Sequence, residues 1–324
     1  MTDVQSLLES ITFNIRSRTV EDLIQTLVIG ITMGGVYALT AIGIVLLYKC
    51  SGIVNFAHGS ISMMSPYIAI TMLTGTFSLL TDDLVTKQVM PYWLAIVGGL
   101  AFVIVIGLMV ERLVVRPILN RSHLHAVLAC LGVLMFLEYT VGWIWTDDDR
   151  TFPPVFNEYS FFEIKGVFIS YNNMAILAIV ITSIICLQLF LTRTKFGLAM
   201  RCTAEDMDAA QMMGINYKKV LAVSWAFASA LGGLAAVLLA PQLLLYPSFM
   251  MGVLIKGFVA TIIGGFGSIY GAILGGVVLG VLESLLSVYV STQFKSIFAF
   301  SLVILILSIN PTGLIPERKF SREV

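Results

Sequence analysis

Apolar residues fall in nine runs along the chain, at 23–47, 53–73, 92–110, 125–145, 173–191, 220–243, 248–264, 269–289 and 294–310. Most are roughly 17–25 residues long, the length a helix needs to cross a bilayer. The runs are unbroken rather than alternating, so they predict helices and not barrel strands. The expected fold is all-α, a polytopic membrane protein of about eight to ten transmembrane helices. One transmembrane domain spans 1–324, with an N-terminal surface segment at 1–22 and a tail at 311–324. Residues 1–22 include Asp3, Glu9, Arg16, Arg18, Glu21 and Asp22 and have no compact apolar core, which argues against a cleavable leader.

Two runs are interrupted. SGIVNFAHGSISMMSPY (51–67) sets Asn55, His58, Gly59, Ser60, Ser62, Ser65 and Pro66 within apolar surroundings. VATIIGGFGSIYGAILGG (259–276) places Gly264, Gly265, Gly267 and Gly271 around a turn. Glycine and proline breaks at related places in two halves point to broken or re-entrant segments and a translocation path. The halves 23–145 and 220–310 are a candidate inverted repeat. Asn55, His58, Gly59 and Ser62 are the candidate path residues, with helix packing as the competing role for each. Gly30, Gly34, Gly35, Gly232, Gly233, Gly276 and Gly280 have the spacing that lets helix backbones approach in lipid.

Composition agrees with the pattern. Hydrophobic residues make up 58% of the chain, charged residues 12%, and mean hydropathy is +0.95; a soluble protein carries about 25% charge. Orientation follows the basic residues. The segments 48–52, 111–124, 192–219 and 311–324 hold twelve Lys and Arg, whereas the segments at the other end hold six. That other end carries Asp82, Asp83, Asp147, Asp148, Asp149, Glu158 and Glu163. The basic end is therefore expected to be cytoplasmic, which puts the N-terminus outside. Cys50, Cys130, Cys186 and Cys202 have no metal-ligand spacing and read as reduced structural residues. His123 and His125 lie in a basic loop and read as solvated.

The longest polar stretch between two runs is TRTKFGLAMRCTAEDMDAAQMMGINYKK, 192–219. Thr203 followed by Asp206 resembles a capping box, Ala204–Met213 are good helix formers, and Gly214 is placed to end a helix. Ala204, Met207 and Ala210 recur at helical spacing and are expected on one face. A structured element held by two spans suits docking on another protein, and a solvated loop is the competing reading.

Ionisable residues inside the runs are Glu138, Lys256 and Glu283, with Glu111 and Arg112 at a run end. Each costs roughly 2.5–3.5 kcal/mol at bilayer depth, so each is expected to face protein, water or an opposite charge. Lys256 and Glu283 are a candidate structural pair. No GxxxxGK[ST] loop, nucleophile–base constellation or metal motif is present in the sequence. No cofactor is expected on this chain, and any ATP must be bound by another chain.

GGVYALTAIGIVLLYKCSGIVNFAHGSISMMSPY (34–67) resembles the first signature of the LivH-type permeases of bacterial branched-chain amino acid ABC importers. ERLVVRPI (111–118), RCTAEDMDAAQMMGIN (201–216), the glycine-rich 235–280 and NPTGL (310–314) are similar to later stretches of that family. The resemblance implies a permease in the inner membrane, paired with a second homologous permease. It also implies two cytoplasmic ATPases carrying ATP and an external solute-binding protein. The solute is then a branched-chain or other small apolar amino acid, with urea or short amides as the alternative. Arg201, Ala204, Glu205, Met207, Ala210, Gly214 and Ile215 are the residues implied to couple to the ATPases. A stand-alone secondary transporter or channel and an intramembrane enzyme are the readings from other classes. Nothing in the chain points to nucleic acid.

Overall fold

The computed structural model describes residues 20–75, 90–119, 122–155, 161–164, 167–292, 295–310 and 313–315. The surface segment at 1–22 and the tail at 311–324 fall mostly outside them. Each of the nine apolar runs forms a helix: α1 Val20–Ser51, α2 His58–Thr74, α3 Tyr92–Val110, α4 His123–Trp145 and α5 Tyr171–Arg193 in the first half. Two short helices follow, α6 Lys195–Glu205 and α7 Met207–Met212. The second half is α8 Tyr217–Leu239, α9 Phe249–Gly264, α10 Ile269–Tyr289 and α11 Lys295–Ile309. Among the described residues, six helices are long and apolar enough to cross a membrane; α2, α9 and α11 are shorter. A two-stranded antiparallel hairpin, Phe161–Ile164 with Val167–Ser170, lies in the α4–α5 connection, which hydropathy left as loop.

Contacts between connections show that the chain threads up and down. At the basic end, Leu314 N–H donates to Ile263 O and Ile315 N–H to Gly264 O, so the NPTGL turn supplies donors to the last carbonyls of α9. Asn310 holds that turn through Nδ2 to Gly313 O. At the acidic end, Arg150 and Leu245 exchange both backbone hydrogen bonds, and the Tyr92 hydroxyl donates to Pro153 O.

The core is built around α1. Every residue from Gly34 to Leu47 is buried, so this stretch is apolar on all sides because helices surround it. Helix α10 lies along it, and both sides of the contact are glycine. A Cβ on Gly280 would fall 2.3 Å from Gly34 Cα, and one on Gly276 would fall 2.6 Å from Ala38 N. Helices α3, α4 and α5 form the outside and expose large apolar side chains, among them Trp93, Phe136, Trp143 and Ile185. A surface of that kind is stable against lipid tails.

Candidate functional site

The basic end carries the most elaborate construction. Thr194 turns α5 into α6: its Oγ1 accepts from Gly197 N–H at 3.0 Å and donates to Phe190 O at 2.7 Å. Gly197 makes the turn tight, since a Cβ there would meet Phe190 O at 2.4 Å. The expected single helix 204–213 does not form. Thr203 is buried inside α6, with its hydroxyl bonded to Ala199 O, and does not cap. The chain breaks at Asp206, whose Oδ1 accepts from the N–H groups of Asp208 and Ala209 at 2.9 Å each. Aspartate satisfies the first donors of a helix better from the cap than from the interior, which favours two helices over one.

The break also undoes the expected face. Ala204 belongs to α6, and Met207 and Ala210 to α7. Ala210 is 1% exposed and lies against the bundle, so it is not an outward docking residue. Arg201, Glu205 and Gly214 are exposed, while Ala204, Met207 and Ile215 are half-buried. Gly214 ends α7 as its position suggested: φ is +83°, its N–H donates to Gln211 O, and Ile215 N–H donates to Ala210 O. The side chains that stand out are Met212 and Met213, 88% and 69% exposed. Sequence reasoning passed over them. Their signal was two consecutive apolar residues at the end of a polar helix.

The same end is braced from α3. After Val110 the helix widens into a π-turn, Glu111–Val115, before the final turn Arg116–Ile118. This register aligns residues five apart. Arg116 grips Glu111 through Nε and Nη2, both at 2.9 Å, and Glu111 is buried. Arg116 Nη2 also reaches Lys218 O at 3.4 Å, so the ER…RP stretch ties α3 to the first turn of α8.

Among the described residues, Gly52, Ile53 and Val54 of the 51–67 segment line a cavity of about 290 Å³, whereas Asn55 and His58 to Ser62 are buried. Asn55 shapes the entry to α2, its Oδ1 accepting from Ala57 N–H at 3.0 Å. His58 is 1% exposed and wedged between two glycines of other helices. A Cβ on Gly43 of α1 would fall 2.7 Å from its Nε2, and one on Gly232 of α8 would fall 2.8 Å from its Cε1. Ser62 faces Gly232 and donates to His58 O. Gly59 passes α9 closely, with a Cβ there 3.1 Å from Leu254 Cβ. The helix continues through Pro66 without re-entry. His58, Gly59 and Ser62 thus meet neighbouring helices, and Asn55 shapes the entry to α2.

The intramembrane charges do find partners. Glu138 Oε1 accepts from Ser60 Oγ at 3.2 Å, linking α4 to α2. Lys256 Nζ donates to Glu283 Oε1 at 2.5 Å and to Tyr37 Oη at 3.0 Å, joining α9, α10 and α1. The expected Lys256–Glu283 pair is therefore present. Tyr37, from the GxxYAL stretch, was not expected in it. The four cysteines are free, and among the described residues no cluster could hold a metal ion.

Comparison with known proteins gives the family. Residues 26–307 match the family described as the branched-chain amino acid transport system permease component. The chain is 32% identical over 296 residues to the high-affinity branched-chain amino acid transport system permease protein LivH of Escherichia coli, covering 88% of this chain and 93% of that protein. It is 34% identical over 301 residues to the permease protein BraD of Pseudomonas aeruginosa, covering 90% and 95%. It is 30% identical over 290 residues to a probable branched-chain amino acid transport permease protein of Methanocaldococcus jannaschii, covering 85% and 87%. No solved structure matches.

Proposed function

Because the chain belongs to the branched-chain amino acid transport permease family, we propose that it is the multi-pass inner-membrane permease subunit of an ATP-binding-cassette importer for branched-chain amino acids. It is a transport subunit and performs no covalent chemistry. It works beside a second homologous permease, two cytoplasmic ATPases that bind the ATP, and an external binding protein that delivers the solute. The observation that carries the reading is the family match over 26–307 together with the α6–α7 elbow at the basic end. That elbow is fastened on one side by Thr194 to α5, and Arg116 braces the adjoining start of α8. An element held on both sides transmits a push rather than absorbing it.

Met212 and Met213 are the side chains suited to enter a groove on an ATPase, since methionine adapts its shape to a partner surface. The test is capture of the complex through a tag on this chain. Wild-type protein should bring down the ATPases and support ATP-dependent leucine uptake. Met212→Asp with Met213→Asp should lose both while remaining inserted in the membrane. Uptake that follows a proton gradient without ATP, with no ATPase captured, would replace this reading with that of a secondary transporter.

A further inference from the structure

A cavity of about 320 Å³ opens between α1, α9, α10 and the turn after α8. Its walls are apolar, with Met33, Leu243, Phe249 and Val253 among them, and its floor is the Tyr37–Lys256–Glu283 cluster. Lys256 lies seven residues into α9 and Glu283 six residues before the end of α10, which sets both about 10 Å below the acidic end of the bundle at 1.5 Å per residue. Gly252 forms part of one wall, and a Cβ there would meet nothing within 4 Å. The space beside it is open.

The floor is incompletely satisfied. Glu283 is 5% exposed, and among the described residues its Oε2 has no hydrogen-bond partner. A buried carboxylate oxygen left in that state is costly, the more so within a membrane. Lys256 has three N–H donors and uses two of them, one on Glu283 Oε1 and one on Tyr37 Oη. The cluster therefore presents an unused acceptor beside an unused donor, at the base of an apolar pocket.

We propose that this cavity is a solute subsite for the zwitterionic head of a free amino acid with an apolar side chain. The ammonium group meets Glu283 Oε2, and the carboxylate takes the third N–H of Lys256. The side chain lies against Met33, Phe249 and Val253. The Lys256–Glu283 pair has no net charge, and neither does the zwitterion, so loading the site brings no unbalanced charge into the bilayer. An uncharged amide such as urea would use the same donor and acceptor, but it would gain no charge pairing and would leave the apolar walls unfilled. The proposal rests on the importer reading above and adds where in this chain the solute is held.

The test uses the complex captured through this chain, reconstituted in proteoliposomes with its binding protein, and measures radiolabelled leucine uptake beside binding-protein-stimulated ATP hydrolysis. Gly252→Phe fills the cavity and leaves every charge in place. Glu283→Gln keeps the shape and removes the charge. Each should lower leucine uptake by about ten-fold or more, and Gly252→Phe should leave hydrolysis within about two-fold of wild type. Exchanging the charges, Lys256→Glu with Glu283→Lys, should not restore uptake, because a zwitterion would then meet the wrong end. Wild-type uptake with Gly252→Phe unaffected, or full recovery on exchanging the charges, would make the cluster a structural brace and overturn the subsite alone. A wild-type complex that carries no branched-chain amino acid would overturn the importer reading, and the subsite with it.

Discussion

Arg116 reaches back five residues to Glu111 and binds both of its carboxylate oxygens at 2.9 Å, across a π-turn. An ordinary α-turn would set the two residues well round the helix from one another; the wider turn brings them into line. Removing one partner leaves a buried charge uncompensated, which costs about 3–5 kcal/mol. Arg116→Met should therefore lower the thermal stability of the purified protein markedly, whereas Glu111→Gln with Arg116→Met should recover most of the loss. Equal stability of the single and double variants, measured by thermal unfolding in detergent, would mean that the pair is not coupled.

The α1–α10 contact should tolerate nothing larger than glycine. A Cβ on Gly280 would meet the Gly34 backbone, which cannot swing aside as a side chain can. Gly280→Leu should cost about 3 kcal/mol or more and reduce membrane abundance. Gly132→Leu on α4, where a Cβ meets nothing within 4 Å, should leave abundance unchanged. Immunoblots of membrane fractions compare the two directly.

His58 and Gly43 should behave as one unit. Gly43→Ala places a methyl 2.7 Å from His58 Nε2 and should destabilise the protein. Trimming the ring as well, in Gly43→Ala with His58→Ala, makes room for that methyl. The double variant should then be more stable than the sum of the two single effects predicts, by about 1 kcal/mol or more in a double-mutant cycle. Strict additivity would place the histidine elsewhere than between α1 and α8.

Orientation is open to a labelling experiment. In a cysteine-free background, Asp148→Cys should react with a membrane-impermeant maleimide in intact spheroplasts. Glu205→Cys should react only after the membrane is opened. Both positions are exposed, so access to the reagent is decided by the side of the membrane. Equal labelling of the two in intact cells would reverse or abolish the assignment made from the basic residues.

The helices were legible in the sequence because helix formation in a membrane is a local matter. With no water to take up backbone donors and acceptors, each long apolar run must satisfy its own, so length and hydropathy suffice to find it. All nine runs form helices near their expected positions. Gly214 as a helix stop was equally local, being a matter of one residue and a left-handed φ. The family, too, was carried by short stretches of sequence such as VNFAHG and ER…RP.

Tertiary structure decided which face of each helix meets which neighbour. Lipid tails and the protein core are both apolar, so hydropathy cannot separate the outside of α4 from the inside of α1. For that reason His58 was equally credible lining a path or packing between helices, and only the tertiary structure shows that it sits between Gly43 of α1 and Gly232 of α8. Ala210 was expected to face a partner; the helix break at Asp206 turned it inward and left Met212 and Met213 outside. Tyr37 stands 219 residues from Lys256 in the chain, and no local pattern could bring them together. Their meeting depends on α9 packing against α1, where a Cβ on Gly257 would fall 2.9 Å from Thr40 Cγ2, a contact that exists only once the bundle has formed.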